Sequence, residues 1–194
     1  SSSTLEIEGY TPPDAHQPAW ANTHVVGSGY FRTLQARVLS GRDFTASDAQ
    51  GAPMVAVVDD EMARRYWGGR DPIGTRVNLY GEWRTVVGVA PTMKYRSLTE
   101  TPSPHVFVPV LQVYQPMMSL AVRVDGPPSA AAPAVLTQLR ALDPRLPVFG
   151  VFPMEEYAQA ASIQQRLAGT FLAGFGVLAL LLASVGLYGV LAYT

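Results

Sequence analysis

The chain has 194 residues, a formal net charge of −1 and a pI near 6.3. This length suits one or two domains, and the balanced charge offers no basic surplus for binding nucleic acid. The chain contains no cysteine, which excludes disulfides and thiolate metal sites.

The predicted elements alternate between strands and helices in mixed order. Alternating or continuously apolar runs indicate strands, and a period of three to four residues indicates helices. Predicted strands cover residues 4–8, 23–26, 54–58, 76–79, 83–89, 106–109, 120–124 and 147–152. Predicted helices cover residues 30–34, 59–67, 129–142 and 154–165. This order predicts one compact unit from residue 54 and a second from residue 120, with a boundary near Gln115.

The helix over residues 59–67 has the clearest local signals. It follows the continuously apolar run MVAVV, which suits a strand buried on both faces. Either Asp59 or Asp60 can cap the helix. Acids stand four residues before bases on its surface, which stabilises a helix; the pairs are Asp60–Arg64 and Glu61–Arg65.

A hairpin is predicted from the strands over residues 76–79 and 83–89. Gly81 followed by Glu82 favours a type II′ turn, because glycine suits the first central position of that turn. Upstream of this unit, residues 40–44 read as a polar turn.

The helix over residues 129–142 is rich in alanine and has one apolar face. That face consists of Val135, Leu136, Leu139 and Leu142. We expect Pro133 in its first turn, where a missing N–H costs little.

An uncharged apolar run covers residues 167–193. A helix of that length spans roughly 40 Å at about 1.5 Å per residue, enough to cross a bilayer core of about 30 Å. Ala179 and Ala183 are four residues apart, a spacing that suits close packing against another membrane helix. The alternative is a buried core helix of a large soluble protein, since a helix that is apolar all round must be hidden from water.

Residues 69–76 loosely echo a phosphate-binding loop. That motif needs a lysine directly after its second glycine, whereas Thr75 and Arg76 follow Gly74, and Pro72 interrupts the loop. A turn between a helix and a hairpin explains the segment better.

Three adjacent acids, Asp59, Asp60 and Glu61, raise the possibility of a metal site. Metal ions need converging oxygen ligands, whereas the start of a helix explains all three acids through capping and the helix dipole. The histidines are scattered without the spacing of zinc ligands; they are His16, His24 and His105.

No catalytic group is indicated either. Gly27-Ser28-Gly29 lacks the spacing of a nucleophile elbow, and no base is indicated for its serine. Four aromatic residues are expected as core anchors rather than as a ligand cage: Tyr30, Phe31, Tyr66 and Trp67. No catalytic, cofactor-binding or metal-binding residue is predicted. The residues indicate an α+β domain, cytoplasmic or extracytoplasmic, that is joined to a membrane helix and is not an enzyme.

Short motifs in a fixed order resemble the MacB-like periplasmic core domain, followed by the start of an FtsX-like permease unit. The resemblance covers nearly the whole chain from Val25, and the duplicated bacterial permeases are the most similar subgroup. The motifs are Gly29-Tyr30-Phe31-Arg32-Thr33-Leu34, Leu39-Ser40-Gly41-Arg42-Asp43-Phe44, Val55-Ala56-Val57-Val58, Met62-Ala63-Arg64-Arg65-Tyr66-Trp67, Asp71-Pro72-Ile73-Gly74, Trp83-Arg84-Thr85-Val86-Val87-Gly88-Val89, Tyr95-Arg96-Ser97-Leu98, Arg140-Ala141-Leu142-Asp143-Pro144 and Leu187-Tyr188-Gly189-Val190-Leu191-Ala192-Tyr193-Thr194.

In that family the core domain lies outside the cytoplasmic membrane, between the first two helices of a permease. The resemblance therefore implies a mixed-sheet α+β domain of two packed subdomains over residues 1–165, on the periplasmic or extracellular side. Residues 54–109 correspond to an inserted subdomain, and residues 118–152 to a returning porter-like part. Residues 167–193 correspond to the transmembrane α-helix that follows. The other permease helices are absent, so we interpret the sequence as a piece of a longer chain.

The resemblance also implies a function, because the family couples cytoplasmic ATP hydrolysis to export or to periplasmic mechanical work. The implied location is the bacterial cytoplasmic (inner) membrane. The implied partners are a cytoplasmic ATPase subunit or domain, other permease helices or a second permease copy, the lipid bilayer and a periplasmic partner, with no nucleic acid and no cofactor. The alternative is a non-transporting scaffold that relays ATPase motion to an extracellular partner such as a cell-wall hydrolase.

Overall fold

The computed structural model describes residues 2–14, 16–93, 101–151, 153 and 175–176. The chain divides into two compact units, one of residues 1–95 with 99–123 and one of residues 96–98 with 124–194. The elements of the first unit, in chain order, are β1 (Ser2–Thr4), β2 (Glu6–Ile7), β3 (Trp20–Val26), α1 (Tyr30–Thr33), β4 (Ser40–Gly41), β5 (Val55–Asp59), α2 (Asp60–Trp67), β6 (Arg76–Leu79), β7 (Glu82–Ala90) and β8 (His105–Pro109). The second unit contains α3 (Pro128–Leu142).

All eight strands of the first unit belong to one mixed sheet. Its order is β1-β3-β8-β5-β7-β6-β2, with β4 paired to β7. The β3–β8 and β5–β7 pairs are parallel, and the other pairs are antiparallel. The predicted α+β class with a mixed sheet is therefore confirmed.

The sheet curves back on itself. Its two ends, β1 and β2, are separated in the chain by Leu5 alone, so one short stretch pairs with β3 on one side and with β6 on the other. The single strand predicted over residues 4–8 is thus wrong. The chain changes pairing partner at Leu5, whose N–H donates to the Ala19 carbonyl at 2.9 Å.

The central strand β5 is buried along its whole length, as its unbroken apolar sequence predicts. Ala56 and Val58 face one core, which also holds the buried side of α2. Val55 and Val57 face a second core built around three phenylalanines: Phe31, Phe44 and Phe107. Because side chains alternate across a strand, one strand contributes to both cores.

Helix α2 forms as predicted, and Asp59 is the residue that caps it. The Asp59 side chain accepts the Met62 N–H at 2.9 Å, and Gly68 ends the helix with a left-handed φ of 59°. Both predicted ion pairs are confirmed, with Asp60–Arg64 at 3.3 Å and Glu61–Arg65 at 3.0 Å.

The predicted hairpin is confirmed, but its predicted turn type is wrong. Leu79 pairs with Glu82, which leaves Tyr80 and Gly81 as the two central residues. Their φ angles are 57° and 85°, and two positive values define a type I′ turn rather than type II′. Strand pairing extends to Glu82 and thereby moves the turn back by one residue.

The strand predicted over residues 106–109 is found as β8, but the two strands predicted after it are not found among the described residues. Residues 120–124 and the described residues 147–151 have no regular structure. Leu120 and Val122, which the alternating pattern places on a buried face, are 65% and 50% exposed. Alternation marks a segment that can become half-buried, but a strand also needs a neighbour to accept its hydrogen bonds.

The helix predicted over residues 129–142 is confirmed as α3. Pro133 lies inside it rather than in its first turn, because the helix already begins at Pro128. Leu142 is 80% exposed, so the predicted apolar face does not extend to the end of the helix.

Within the described residues, no helix combines the length and apolarity needed to span a membrane. The helix predicted over residues 154–165 lies outside the described residues. So does the membrane helix predicted over residues 167–193, apart from residues 175–176.

Candidate functional site: a polar network between β3 and β8

Two of the three histidines come together across the parallel β3–β8 pair. The register places Asn22 beside His105 and His24 beside Phe107. Residues two apart on a strand share a face, so all four side chains lie on one side of the sheet. This corrects the prediction of scattered histidines. His24 and His105 are 81 residues apart, and only the strand pairing joins them.

A continuous line of hydrogen bonds runs through these side chains. His24 Nε2 lies 2.8 Å from His105 Nδ1, and His105 Nε2 lies 3.1 Å from the Ser103 hydroxyl. The Asn22 amide donates to the same hydroxyl at 3.2 Å. Only one of the two facing imidazole nitrogens can carry a hydrogen. A consistent arrangement has Ser103 donating to His105, and His105 Nδ1–H donating to His24.

Burial controls the charge of this network. Burial, and after it the neighbouring His105, lower the pKa of His24 to about 4. His24 is therefore neutral at neutral pH and can accept the shared hydrogen. His105 is only 4% exposed, so the line runs from the interior of the sheet towards the part-buried Ser103.

Asp59 ties this network to helix α2. Its Oδ1 accepts the backbone N–H groups of Met62 and His105, each at 2.9 Å. One oxygen therefore links α2 to β8. Among the described residues, its Oδ2 has no hydrogen-bond partner. Burial raises the pKa of Asp59 to about 6, although the backbone hydrogen bonds from His105 and Met62 oppose the rise.

Aromatic rings cover the network on the same face of the sheet. The His24 ring lies nearly parallel to those of His105 and Phe107, at interplanar angles of 24° and 25° and centroid distances of 5.0 and 5.3 Å. Phe107 meets Phe31 of α1 edge to face at 4.9 Å. The predicted core anchors Phe31, Tyr66 and Trp67 are buried, and Tyr30 packs against the same core as Phe31.

A second cluster surrounds the segment predicted as a polar turn over residues 40–44. Ser40 and Gly41 instead form strand β4, where Gly41 pairs with Gly88 of β7. Arg42 then makes a bidentate ion pair with the buried Asp48, at 2.7 and 2.8 Å. The pair fixes the loop that follows β4.

The other candidate motifs have structural roles. In the loop over residues 69–76, the Thr75 hydroxyl donates to the Pro72 carbonyl at 2.6 Å and accepts from Trp67 Nε1 at 3.0 Å. These bonds close a turn between α2 and β6. Asp59, Asp60 and Glu61 cap α2 or pair with its arginines. Among the described residues, no group of three or more acids and histidines is placed to hold a metal ion.

The geometry thus builds a hydrogen-bonded network that links β3, β8 and α2 to one another. Sequence reasoning missed it because each of its residues has an ordinary local context. A hydrogen-bonded pair of histidines needs two strands in one register, and nothing local to His24 or His105 specifies that register.

Comparison with known proteins identifies the family. The family model of the MacB-like periplasmic core domain matches residues 4–142. A curated relative is the macrolide export ATP-binding/permease protein MacB of Bdellovibrio bacteriovorus, 24% identical over 185 residues. The match covers 88% of this chain but only 28% of that protein, so the chain spans about a quarter of its relative's length.

Two solved structures are similar. The periplasmic region of MacB from Actinobacillus actinomycetemcomitans has a TM-score of 0.52 and 18% identity, covering 73% of this chain and 63% of that one. The extracellular domain of the noncanonic ABC-type transporter YknZ from Gram-positive bacteria has a TM-score of 0.38 and 22% identity, covering 56% and 53%. The first likeness agrees with the mixed-sheet α+β fold, and the family match covers most of the described residues. The chain belongs to the MacB-like periplasmic core domain family.

Proposed function

We propose that this chain is the extracytoplasmic domain and one membrane helix of an ABC-transporter-type permease subunit. In this proposal a partner hydrolyses ATP in the cytoplasm, and the domain converts that work into export or into mechanical work outside the membrane. The observation that carries the proposal is the family match over residues 4–142. The curated relative is named as a macrolide export ATP-binding/permease protein, which supports a transport role.

The packing of the first unit favours its motion as a rigid body. Its sheet curves back on itself at Leu5, and its central strand is packed on both faces. Closely packed interiors transmit strain rather than absorb it. A displacement applied to such a unit is therefore passed on to whatever contacts it.

The proposed organisation assigns residues 1–165 to the core domain on the periplasmic side of the inner membrane. Residues 54–109 are the inserted subdomain, residues 118–152 return to the porter-like part, and residues 167–193 are the membrane helix. The proposed partners are a cytoplasmic ATPase, other permease helices or a second permease copy, the bilayer and a periplasmic protein. The uncharged sequence of residues 167–193 supports the assignment of the helix.

The test uses the full-length permease reconstituted with its ATPase. This chain has no cysteine, so Ala46→Cys in an exposed turn accepts a single fluorescent label within it. We expect ATP hydrolysis to change the label's fluorescence. In a second variant, Ala183→Leu should insert normally but block close helix packing, so that ATP hydrolysis no longer changes the signal.

Two outcomes decide the proposal. A label that does not respond while the partner hydrolyses ATP would contradict coupling. An unchanged response in Ala183→Leu would mean that this face of the helix meets lipid and that the helix is only an anchor. Compound uptake into vesicles then separates export from a scaffold that activates a bound hydrolase without transport.

A further inference from the structure

A shallow pocket of about 270 Å³ opens beside α1. Its apolar lining consists of Phe31, Ala36 and Val38, and its polar lining includes Arg32, Gln35 and Arg37. Ligand pockets measure about 300–1,000 Å³, so this one suits only a small molecule or a small part of a larger one.

The charged side chains of the pocket lining are mostly basic. Across the part of the chain that the structure describes, neither Arg32 nor Arg37 makes an ion pair or a side-chain hydrogen bond. Arg42, close by in sequence, is instead held by Asp48 at 2.7 Å. Asp43 is the acid in the lining, and its carboxylate accepts the Phe44 N–H at 2.6 Å. The lining therefore holds two arginines and one acid, a net charge of +1.

Gln35, in the pocket lining, has a left-handed backbone conformation that is unusual for a residue other than glycine. The Gln35 N–H donates to the Arg32 carbonyl at 3.1 Å, and the Ala36 N–H donates to the Phe31 carbonyl at 2.8 Å. These two bonds end α1 as a Schellman motif, which needs a left-handed residue and normally uses glycine. Here Gln35 adopts a φ of 57°. The strain is unfavourable for glutamine, and such strain concentrates at functional sites.

We infer that this pocket binds a small amphiphilic anion. Arg32 and Arg37 hold its carboxylate or phosphate group, the Gln35 amide adds a polar contact, and its apolar body lies against Ala36 and Val38. Guanidinium groups match the planar geometry of such acids and form strong charge-assisted hydrogen bonds with them. The inference rests on the pocket alone and does not depend on the permease role.

The test measures binding of 4-fluorobenzoate to the whole chain in zwitterionic detergent by fluorine NMR line broadening. The uncharged 4-fluorobenzamide has the same shape and serves as the matched probe. We expect the acid to bind and the amide to bind at least tenfold more weakly. Arg32→Gln and Arg37→Gln should each weaken binding of the acid by about tenfold or more, because each removes a charge-assisted hydrogen bond.

Two further variants distinguish the loss of a binding contact from damage to the fold. Arg140→Gln removes an exposed arginine of α3, outside the pocket, and should leave binding unchanged. Gln35→Gly fits the left-handed position, so it should keep or raise the melting temperature while it weakens binding. Displacement of 4-fluorobenzoate by glycerol phosphate would support the inference with a phosphate headgroup as the natural acid. Equal binding of the acid and the amide, or full binding to both arginine variants, would overturn it.

Discussion

Asp59 has two opposing effects on the stability of the fold. Its Oδ1 caps α2 and accepts the His105 N–H, which helps to hold the sheet to the helix. Its burial disfavours the charged form and raises its pKa from the ordinary 3.8 to about 6. The folded state therefore holds this proton more tightly than the unfolded chain does. The resulting cost to stability is absent below about pH 4, grows as the pH rises from about 4 to about 6, and is fully present above that.

Asp59→Asn should stabilise the domain at neutral pH. Asparagine keeps the capping oxygen but cannot ionise, so the gain in the free energy of unfolding at pH 7.5 should reach about 1–3 kcal/mol. The gain should vanish near pH 4, as measured by urea unfolding at both pH values. Asp59→Ala is the control, since it loses the cap and should destabilise the domain at both. Lower stability of Asp59→Asn at pH 7.5 would show that the charge itself is needed.

His24 should act on stability with the opposite sign. Its pKa falls from the ordinary 6.5 to about 4 in the folded state, so the unfolded chain binds the proton more readily. The stability that neutral His24 contributes is present above about pH 6.5 and is lost as the pH falls towards 4.

His24→Gln should therefore flatten the loss of stability under acid. Glutamine places a polar group near the position of Nε2 but does not titrate. Because Asp59 titrates in the same range, the comparison is best made between Asp59→Asn and the double variant with His24→Gln. Urea midpoints measured from pH 7.5 to 4.5 should fall less in the double variant. Parallel curves would mean that His24 does not take up the proton.

The β4–β7 pair depends on two facing glycines. Gly41 has a φ of 74°, and a Cβ placed there would collide with the Val87 carbonyl. A Cβ at Gly88 would collide with the Arg42 carbonyl. The close approach of these backbones lets the Arg42 N–H donate to the Val87 carbonyl at 2.9 Å. Gly41 and Gly88 both lie within the motifs that resemble the family, and this contact gives a physical reason for both.

Gly88→Ala should destabilise the domain by about 1–3 kcal/mol, because the methyl group forces β4 away from β7. Gly27→Ala is the matched control, since its Cβ would meet nothing within 4 Å and its φ is ordinary. Thermal unfolding of both variants checks the prediction. Equal melting temperatures would show that β4 moves aside at no cost.

For the molecule as a whole, the distribution of charged residues along the chain predicts its solubility in water. The last charged residue is Arg166, and only uncharged residues follow it. A chain that ends at Gln165 should stay in solution without detergent, whereas the chain that ends at Thr194 should need detergent. Size-exclusion chromatography of both, with and without detergent, measures this. If both chains behave alike, residues 167–193 are not a membrane helix.

Local sequence determined those elements whose signals lie within a few residues of one another. The unbroken apolar run of β5 predicted a strand buried on both faces, and Asp59 with the pairs Asp60–Arg64 and Glu61–Arg65 predicted α2. Hydrogen bonds and side-chain contacts in a helix join residues three or four apart, so a short window contains the whole argument. The order of the family motifs along the chain identified the family for a similar reason, because that order is read directly from the sequence without knowledge of the tertiary structure.

Tertiary structure decided everything that depends on which strand lies beside which. The interruption at Leu5, the type I′ turn at Tyr80 and Gly81, and the meeting of His24 with His105 all follow from strand pairing. The alternation at residues 120–124 predicted a strand that is not found, because alternation does not supply a neighbour. Pairing between distant segments is set by the packing of the complete sheet. No short window of the sequence contains that packing, so the sequence by itself left it open.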